Sequence, residues 1–219
     1  MTVLFTQHWD VEPGKQNAYS DFVMTQYNPT LERLGIHLVG GYYVAVGMGP
    51  RIIAVGLTKD LQQLDHALST DEYQDVTNRL MGYVTKYHSK ILAPTGRVPM
   101  GDYKIQTGIW KFNQYWNIIP GMEEEYTRFV VEDHLPTMER LGVPVVAGWR
   151  VVVGTGPYIV SESSARSIVD IARAIDTDDF RRVVRKLKTT YVTDYHSRIL
   201  APTGRIDIPY FMQEMMKGF

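Results

Sequence analysis

The 219-residue chain contains no cysteine. That one absence removes disulfides, thiolate nucleophiles and cysteine metal ligands, and it fits a reducing compartment. An excess of charge is missing too: 23 Lys and Arg stand against 24 Asp and Glu, for a formal net charge of −1. A balance of this kind gives no electrostatic reason to expect nucleic acid or an anionic membrane as a partner. No stretch approaches the roughly eighteen uninterrupted apolar residues of a membrane-crossing helix. The opening MTVLFTQHWDVEPG also lacks the basic region and long apolar run of a secretory signal. The six histidines show no metal-triad spacing. The expectation is a soluble, cytoplasmic protein with no metal site.

What the chain does contain is itself, twice. YHSKILAPTGR, from Tyr87 to Arg97, returns as YHSRILAPTGR from Tyr195 to Arg205, with ten of eleven residues unchanged. Upstream, Phe5, Gln7, Trp9, Pro13, Gly14, Tyr19 and Phe22 recur 107 positions later as Phe112, Gln114, Trp116, Pro120, Gly121, Tyr126 and Phe129. The offset is 108 by the closing phrase, so the second copy carries one inserted residue, expected near the end of its last helix. Identity between the copies is roughly a third, which marks a duplication. The boundaries read as a first repeat over 1–98, a linker over 99–107, a second repeat over 108–206 and a Met- and aromatic-rich tail over 207–219.

Each copy reads in one order. FTQHWDV and FNQYWNI alternate like strands, with Phe, Gln and Trp on one face. Pro13 and Pro120 suit the first turn of a following helix, which Gly35 and Gly142 end, and Pro29 and Pro136 should kink or divide it. A hairpin follows, turning at VGMGP and VGTGP. These Gly-x-Gly pairs precede no helix, so they offer no phosphate cradle. A second helical region opens at Thr70-Asp71 and Thr177-Asp178, and the closing phrase is a strand. Strand, helix, strand, strand, helix, strand is a ferredoxin-like α+β unit.

The repeated unit, its Pro-Gly helix opening and the His134-Leu135-Pro136 late in that helix resemble the dimeric α/β-barrel superfamily. That group includes antibiotic-biosynthesis-type monooxygenases, EthD-like proteins, muconolactone isomerases and NIPSNAP proteins. The resemblance implies two tandem βαββαβ units forming an intramolecular dimeric α/β barrel. It also implies a small-molecule site between sheet and helices. In haem-degrading members an Asn lies on the first strand seven residues before the helix-opening Gly, and the same count here reaches Gln7 and Gln114.

Gln7 and Gln114 sit between aromatics and need a partner or a wet space, since an unpaired buried amide costs a few kcal/mol. They either line a pocket or bridge neighbouring elements. His134 follows Val130 by four and should face the sheet, toward Gln114 and Trp116. It is either an acid–base group or a packed side chain bonded to backbone at Pro136. Its counterpart is Tyr27. Trp9, Trp116, Tyr42 and Trp149 are candidate stacking walls for a small apolar or aromatic ligand. His88 and His196 are binding candidates, although the closing phrase reads chiefly as architecture. The basic run FRRVVRKLK at 180–188 reads as a solvated helix face. No cofactor is indicated, with haem left open through a single histidine. Any further self-association should use helices or the tail. Two functional classes stay open: a metal-free monooxygenase, isomerase or cyclase acting on a flat apolar substrate, and a non-catalytic ligand-binding or stress-response protein.

Overall fold

The computed structural model describes residues 2–100, 103 and 108–203. The expected tail lies outside this range, as does most of the expected linker. The described residues fall into two compact units, one of 2–91, 108 and 201–203, the other of 92–100, 103 and 109–200. No helix among them is long and apolar enough to cross a membrane.

The fold is α+β, and the ferredoxin-like order appears in both repeats. In the first, β1 (Val3–Val11) leads to α1 (Gln16–Phe22) and α2 (Asn28–Arg33). The hairpin β2 (His37–Val46) and β3 (Ile52–Thr58) follows, then α3 (Leu61–Leu68), α4 (Asp71–Leu80) and β4 (Val84–Pro94). The second repeat runs β5 (Trp110–Ile118), α5 (Glu123–Phe129), α6 (Leu135–Arg140), β6 (Val145–Val153), β7 (Ile159–Ala165), α7 (Ile168–Ile175), α8 (Asp178–Lys186) and β8 (Val192–Pro202). β1 lies between β3 and β4, and β3 between β1 and β2. In the same way β5 lies between β7 and β8, and β7 between β5 and β6.

Local chemistry explains most boundaries. Pro13 and Pro120 are not in the helices, which begin three residues later. Lys15 N–H donates to the Glu12 carbonyl at 3.1 Å and Gly14 has φ +83, which is a type II turn with Pro at its second and Gly at its third position. The fixed proline φ serves that turn as well as it would a helix start. The same geometry recurs at Ile119–Met122, with Gly121 at φ +86. Pro29 and Pro136 do divide their helices: five-residue π-helical segments, Val23–Tyr27 and Val130–His134, precede them. A proline lacks the N–H its helix would use and crowds the carbonyl four residues back. A wider turn relieves both problems.

The inserted residue of the second repeat also lands in a π segment, Leu187–Tyr191, where the first repeat has only Met81 and Gly82 between α4 and Tyr83. One extra residue in a helix is what a π turn absorbs. Thr70 and Thr177 cap α4 and α8 by accepting from Tyr73 N–H (3.2 Å) and Phe180 N–H (3.1 Å). α3 and α7 were not separated in the sequence, although Asp60 and Ser167 cap them in the same way.

In the second repeat, Phe112 and Trp116 of β5 meet Phe129, Met138, Ile171, Val183 and Leu187 in one buried cluster. Each such side chain is worth about 1.5–3 kcal/mol when fully buried. The helix layer is therefore held on the sheet mainly by this apolar contact, and the polar groups between them are positioned by it.

Candidate functional site

Between the helices and the sheet of the second repeat, a glutamine joins a histidine to a tyrosine. Gln114 on β5 donates from Nε2 to the Tyr195 hydroxyl of β8 at 2.9 Å. Its Oε1 lies 3.1 Å from His134 Nε2, at the last position of the π segment. With the amide so oriented, the imidazole carries its proton on Nε2 and donates it. Gln114 and His134 are 0% and 1% exposed, while Tyr195 is half-buried, so the chain is closed at its histidine end and reaches toward the surface at its tyrosine. Trp116 stacks on Tyr195 at 6.2 Å between ring centres, meets His134 edge-on at 6.0 Å and donates from Nε1 to the Tyr126 hydroxyl. Burial pushes the His134 pKa down to about 4, against a smaller opposing pull from Asp133. Burial also raises the Tyr195 hydroxyl to about 12. At neutral pH both groups are uncharged hydrogen-bonding partners.

The first repeat builds the same frame with different ends. Gln7 Nε2 donates to Tyr27 at 2.5 Å and to Tyr87 at 2.9 Å, and Trp9 Nε1 donates to Tyr19. Trp9 stacks on Tyr87 and meets Tyr27 edge-on. Tyr73, the counterpart of Phe180, adds a hydroxyl 3.4 Å from Tyr87. Burial holds the Tyr27 hydroxyl well above the ordinary tyrosine range and pushes that of Tyr73 up as well.

Other expected site residues are elsewhere. Trp149 pairs with Val160, which pairs with Tyr115, not Gln114. Strand alternation therefore puts Trp149 on the opposite face, where it meets Tyr103 edge-on at 5.2 Å. Tyr42 is likewise opposite Ile53 and His8, away from Gln7. Neither is a wall of the glutamine site. His88 and His196 also take that other face, stacked at 4.7 Å on His8 and Tyr115. The residue just before each histidine, Tyr87 or Tyr195, is the one that reaches the glutamine. Period-two alternation within Tyr-His-Ser puts the tyrosine and the histidine on opposite faces, and the strand register decides which of them meets the glutamine. Left-handed backbone at Lys86 (φ 54) and Asp194 (φ 55) precedes these pairs; in β8 it marks a bulge opposite Tyr115–Asn117. The rest of the phrase ties strands. Thr95 N–H donates to the Gly148 carbonyl, and Thr203 donates to that of Gly41.

One polar group had no sequence signal. On the face of β5 opposite Gln114, Lys111 Nζ lies 2.6 Å from Glu162 Oε1, with side chains only 3% and 5% exposed. The Tyr103 hydroxyl donates to the same carboxylate at 2.7 Å and accepts from Lys111 at 2.7 Å.

A cleft of about 680 Å³ is lined by residues of α7, α8, the π segment after α8, and β8. Phe180, Val184 and Ile199 line it, with Arg185 and Lys188. Phe180 and Ile199 belong to the same buried cluster as Phe112 and Trp116. Lys188 Nζ lies 5.3 Å from the centre of the Tyr195 ring, so the cleft rim touches the partner of Gln114. The residues at His134 do not fit a haem: its Nε2 is taken by Gln114, and Trp116 and Phe129 flank the ring at 6.0 and 6.4 Å.

No family model and no curated protein matches this sequence. Solved structures do match the fold. An anthrone oxidase-like protein is 10% identical, with 92% of this chain and 90% of that chain aligned at a TM-score of 0.62. A mutant chlorite dismutase from Candidatus Nitrospira defluvii, also 10% identical, aligns over 92% and 91% with a TM-score of 0.61. A NIPSNAP family protein from Agrobacterium tumefaciens is 17% identical, with 48% of this chain and 97% of that chain aligned at a TM-score of 0.38. The two likenesses that span nearly the whole chain show its fold, two ferredoxin-like repeats in tandem.

Proposed function

We propose that the chain is a small-molecule-binding protein whose ligand site is in the second repeat, in the cleft over α7 and α8. The observation that carries this reading is the Lys188–Tyr195 contact. It links an open, largely apolar cleft to the half-buried Tyr195 and, through it, to the buried Gln114 and His134. The cleft volume suits a flat molecule of ordinary ligand size. A ligand resting on Phe180 and Ile199 would sense the chain through Tyr195.

Binding without catalysis is the reading the geometry favours. His134 and Gln114 satisfy each other behind a sealed wall, and a histidine held near pKa 4 is a weak base at neutral pH. The metal-free monooxygenase, isomerase or cyclase reading uses the same residues, with Gln114 orienting a carbonyl and His134 moving the proton. It requires the ligand to displace the buried packing and lift that pKa.

The test is calorimetric titration with 2-naphthamide and 2-naphthoate, flat probes of similar size. At least one should bind, and Ala172→Trp, which fills the exposed rim of the cleft, should abolish that binding. Failure of both probes, or binding that survives the tryptophan, would overturn the site. His134→Phe is expected to weaken binding severalfold; unchanged affinity would remove the histidine from the function.

A further inference from the structure

The helix that borders the cleft carries cations of two kinds. Arg182 and Lys186 reach Asp133, and Arg182 also lies near Asp179. Arg181, on the cleft rim, is neutralised by Asp176 and by Asp178 at 3.1 Å. Arg185 and Lys188 also line the cleft, yet no ion pair holds either among the described residues. Lys188 has instead the face of Tyr195 beneath it. Two uncompensated positive charges thus stand at the edge of an apolar floor made by Ile175, Phe180, Val184 and Ile199.

The first repeat serves as an internal control. In TDEYQDVTNRL the positions of Arg181 and Arg185 hold Gln74 and Asn78, and Thr77 stands where Val184 lines the cleft. The floor positions Ile175, Phe180 and Ile199 correspond to Leu68, Tyr73 and Ile91, so it is the cationic rim, with Val184 for Thr77, that is particular to the second repeat. Lys188 lies in the π segment Leu187–Tyr191 that takes up the inserted residue, so the insertion itself builds part of the rim.

We propose that this cleft takes a molecule with a flat apolar body and a single carboxylate. The proposal rests on the binding reading above and names its ligand class. An arginine fork suits a carboxylate in two parallel hydrogen bonds, and the lysine adds a point charge beside it. A nucleic-acid backbone would call for a longer row of unpaired cations than these two. An anionic membrane surface would meet a concave site on a chain whose net charge is −1.

Calorimetry on the full chain at low salt compares 2-naphthoate with 2-naphthamide, which has the same ring system and no charge. The carboxylate should bind about tenfold or more tightly. The double variant Arg185→Gln/Lys188→Gln should lose about that factor for 2-naphthoate while 2-naphthamide stays within about twofold, erasing the preference. Arg182→Gln, on the same helix but paired with Asp133, should change neither. Equal affinities in the unaltered protein, or a preference that survives the double variant, would overturn the ligand class and leave the cleft as a site. Binding of neither probe would overturn both. Binding to phosphatidylglycerol vesicles that 2-naphthoate does not compete away would assign the two cations to a membrane surface and overturn the proposal.

Discussion

In both repeats a glutamine on the first strand reaches a tyrosine on the last, and a tryptophan two residues on stacks over that tyrosine. What closes the other end differs: Tyr27 in the first repeat, His134 in the second. On the opposite sheet face the divergence is larger, since Leu4 and Val55 stand where the second repeat has Lys111 and Glu162. Turns, caps, the π segments before Pro29 and Pro136, and most helix-facing aromatics are common to the two repeats. The polar fillings differ: the first repeat has the Tyr27 and Tyr73 hydroxyls, the second His134 and the Lys111–Glu162 pair. Shared residues thus answer to the fold, and the differing ones are where function is best sought.

The largest expected effect comes from forcing the second repeat to resemble the first at its buried ion pair. Glu162→Val leaves Lys111 buried without its carboxylate and should cost about 3–5 kcal/mol. Lys111→Leu/Glu162→Val installs the first repeat's pair and should recover most of that loss, because the desolvation cost of both charges goes with them. Urea unfolding of the single and double variants checks this. A harmless Glu162→Val would show that the pair contributes nothing and that the contrast is incidental.

Next is His134→Tyr, which installs the residue found at Tyr27. With its folded pKa near 4 against an ordinary 6.5, His134 binds a proton more readily once unfolded. Its neutral burial is therefore fully tolerated above about pH 6.5, costs increasing stability as pH falls toward 4, and levels off below. The full span is about 3 kcal/mol. Urea unfolding at pH 7.5 and 4.5 should show a smaller acid loss in the variant than in the parent. Tyr27→His should enlarge the loss. Parallel curves for parent and His134→Tyr would mean that His134 is not buried in the neutral form.

The architecture was legible because it depends on periodicity, turn residues and caps, all written locally. The duplication, the strand order, the proline-divided helices and the place of the insertion could each be read from spacing. So could His134 facing Gln114, since Val130 and His134 share a helical face. Pairings set by strand register were not legible. Gln114 with Tyr195 and Lys111 with Glu162 join residues 81 and 51 positions apart. Trp149 and Tyr42 were misplaced for the same reason: one residue of register decides the face, and composition does not reveal it. The cleft needed α7, α8 and the π segment together, so FRRVVRKLK alone looked like an ordinary solvated face.

The smallest expected effect should be the same in both repeats, and that equality is its use. Thr70 and Thr177 cap α4 and α8 through matching bonds to the N–H three residues on, at 3.2 and 3.1 Å. Each also donates its hydroxyl to the carbonyl of Ala67 or Ala174, at 2.8 and 2.7 Å. Two acids follow in each first turn: Asp71 and Glu72 in one, Asp178 and Asp179 in the other. Thr70→Ala and Thr177→Ala remove the same two bonds from the same setting, and each should cost about 1 kcal/mol. At this chain length that is a drop of about 2–4 °C in melting temperature. The cleft adds a condition to the comparison. Thr177→Ala loosens the start of the helix that carries Arg185, so 2-naphthoate affinity should fall slightly with it, whereas Thr70→Ala should leave that affinity alone. Equal melting shifts with unequal binding shifts would separate what the duplication preserved from what the second repeat acquired. If the two stability losses differ by more than about 1 kcal/mol, the repeats are not equivalent even as scaffolds.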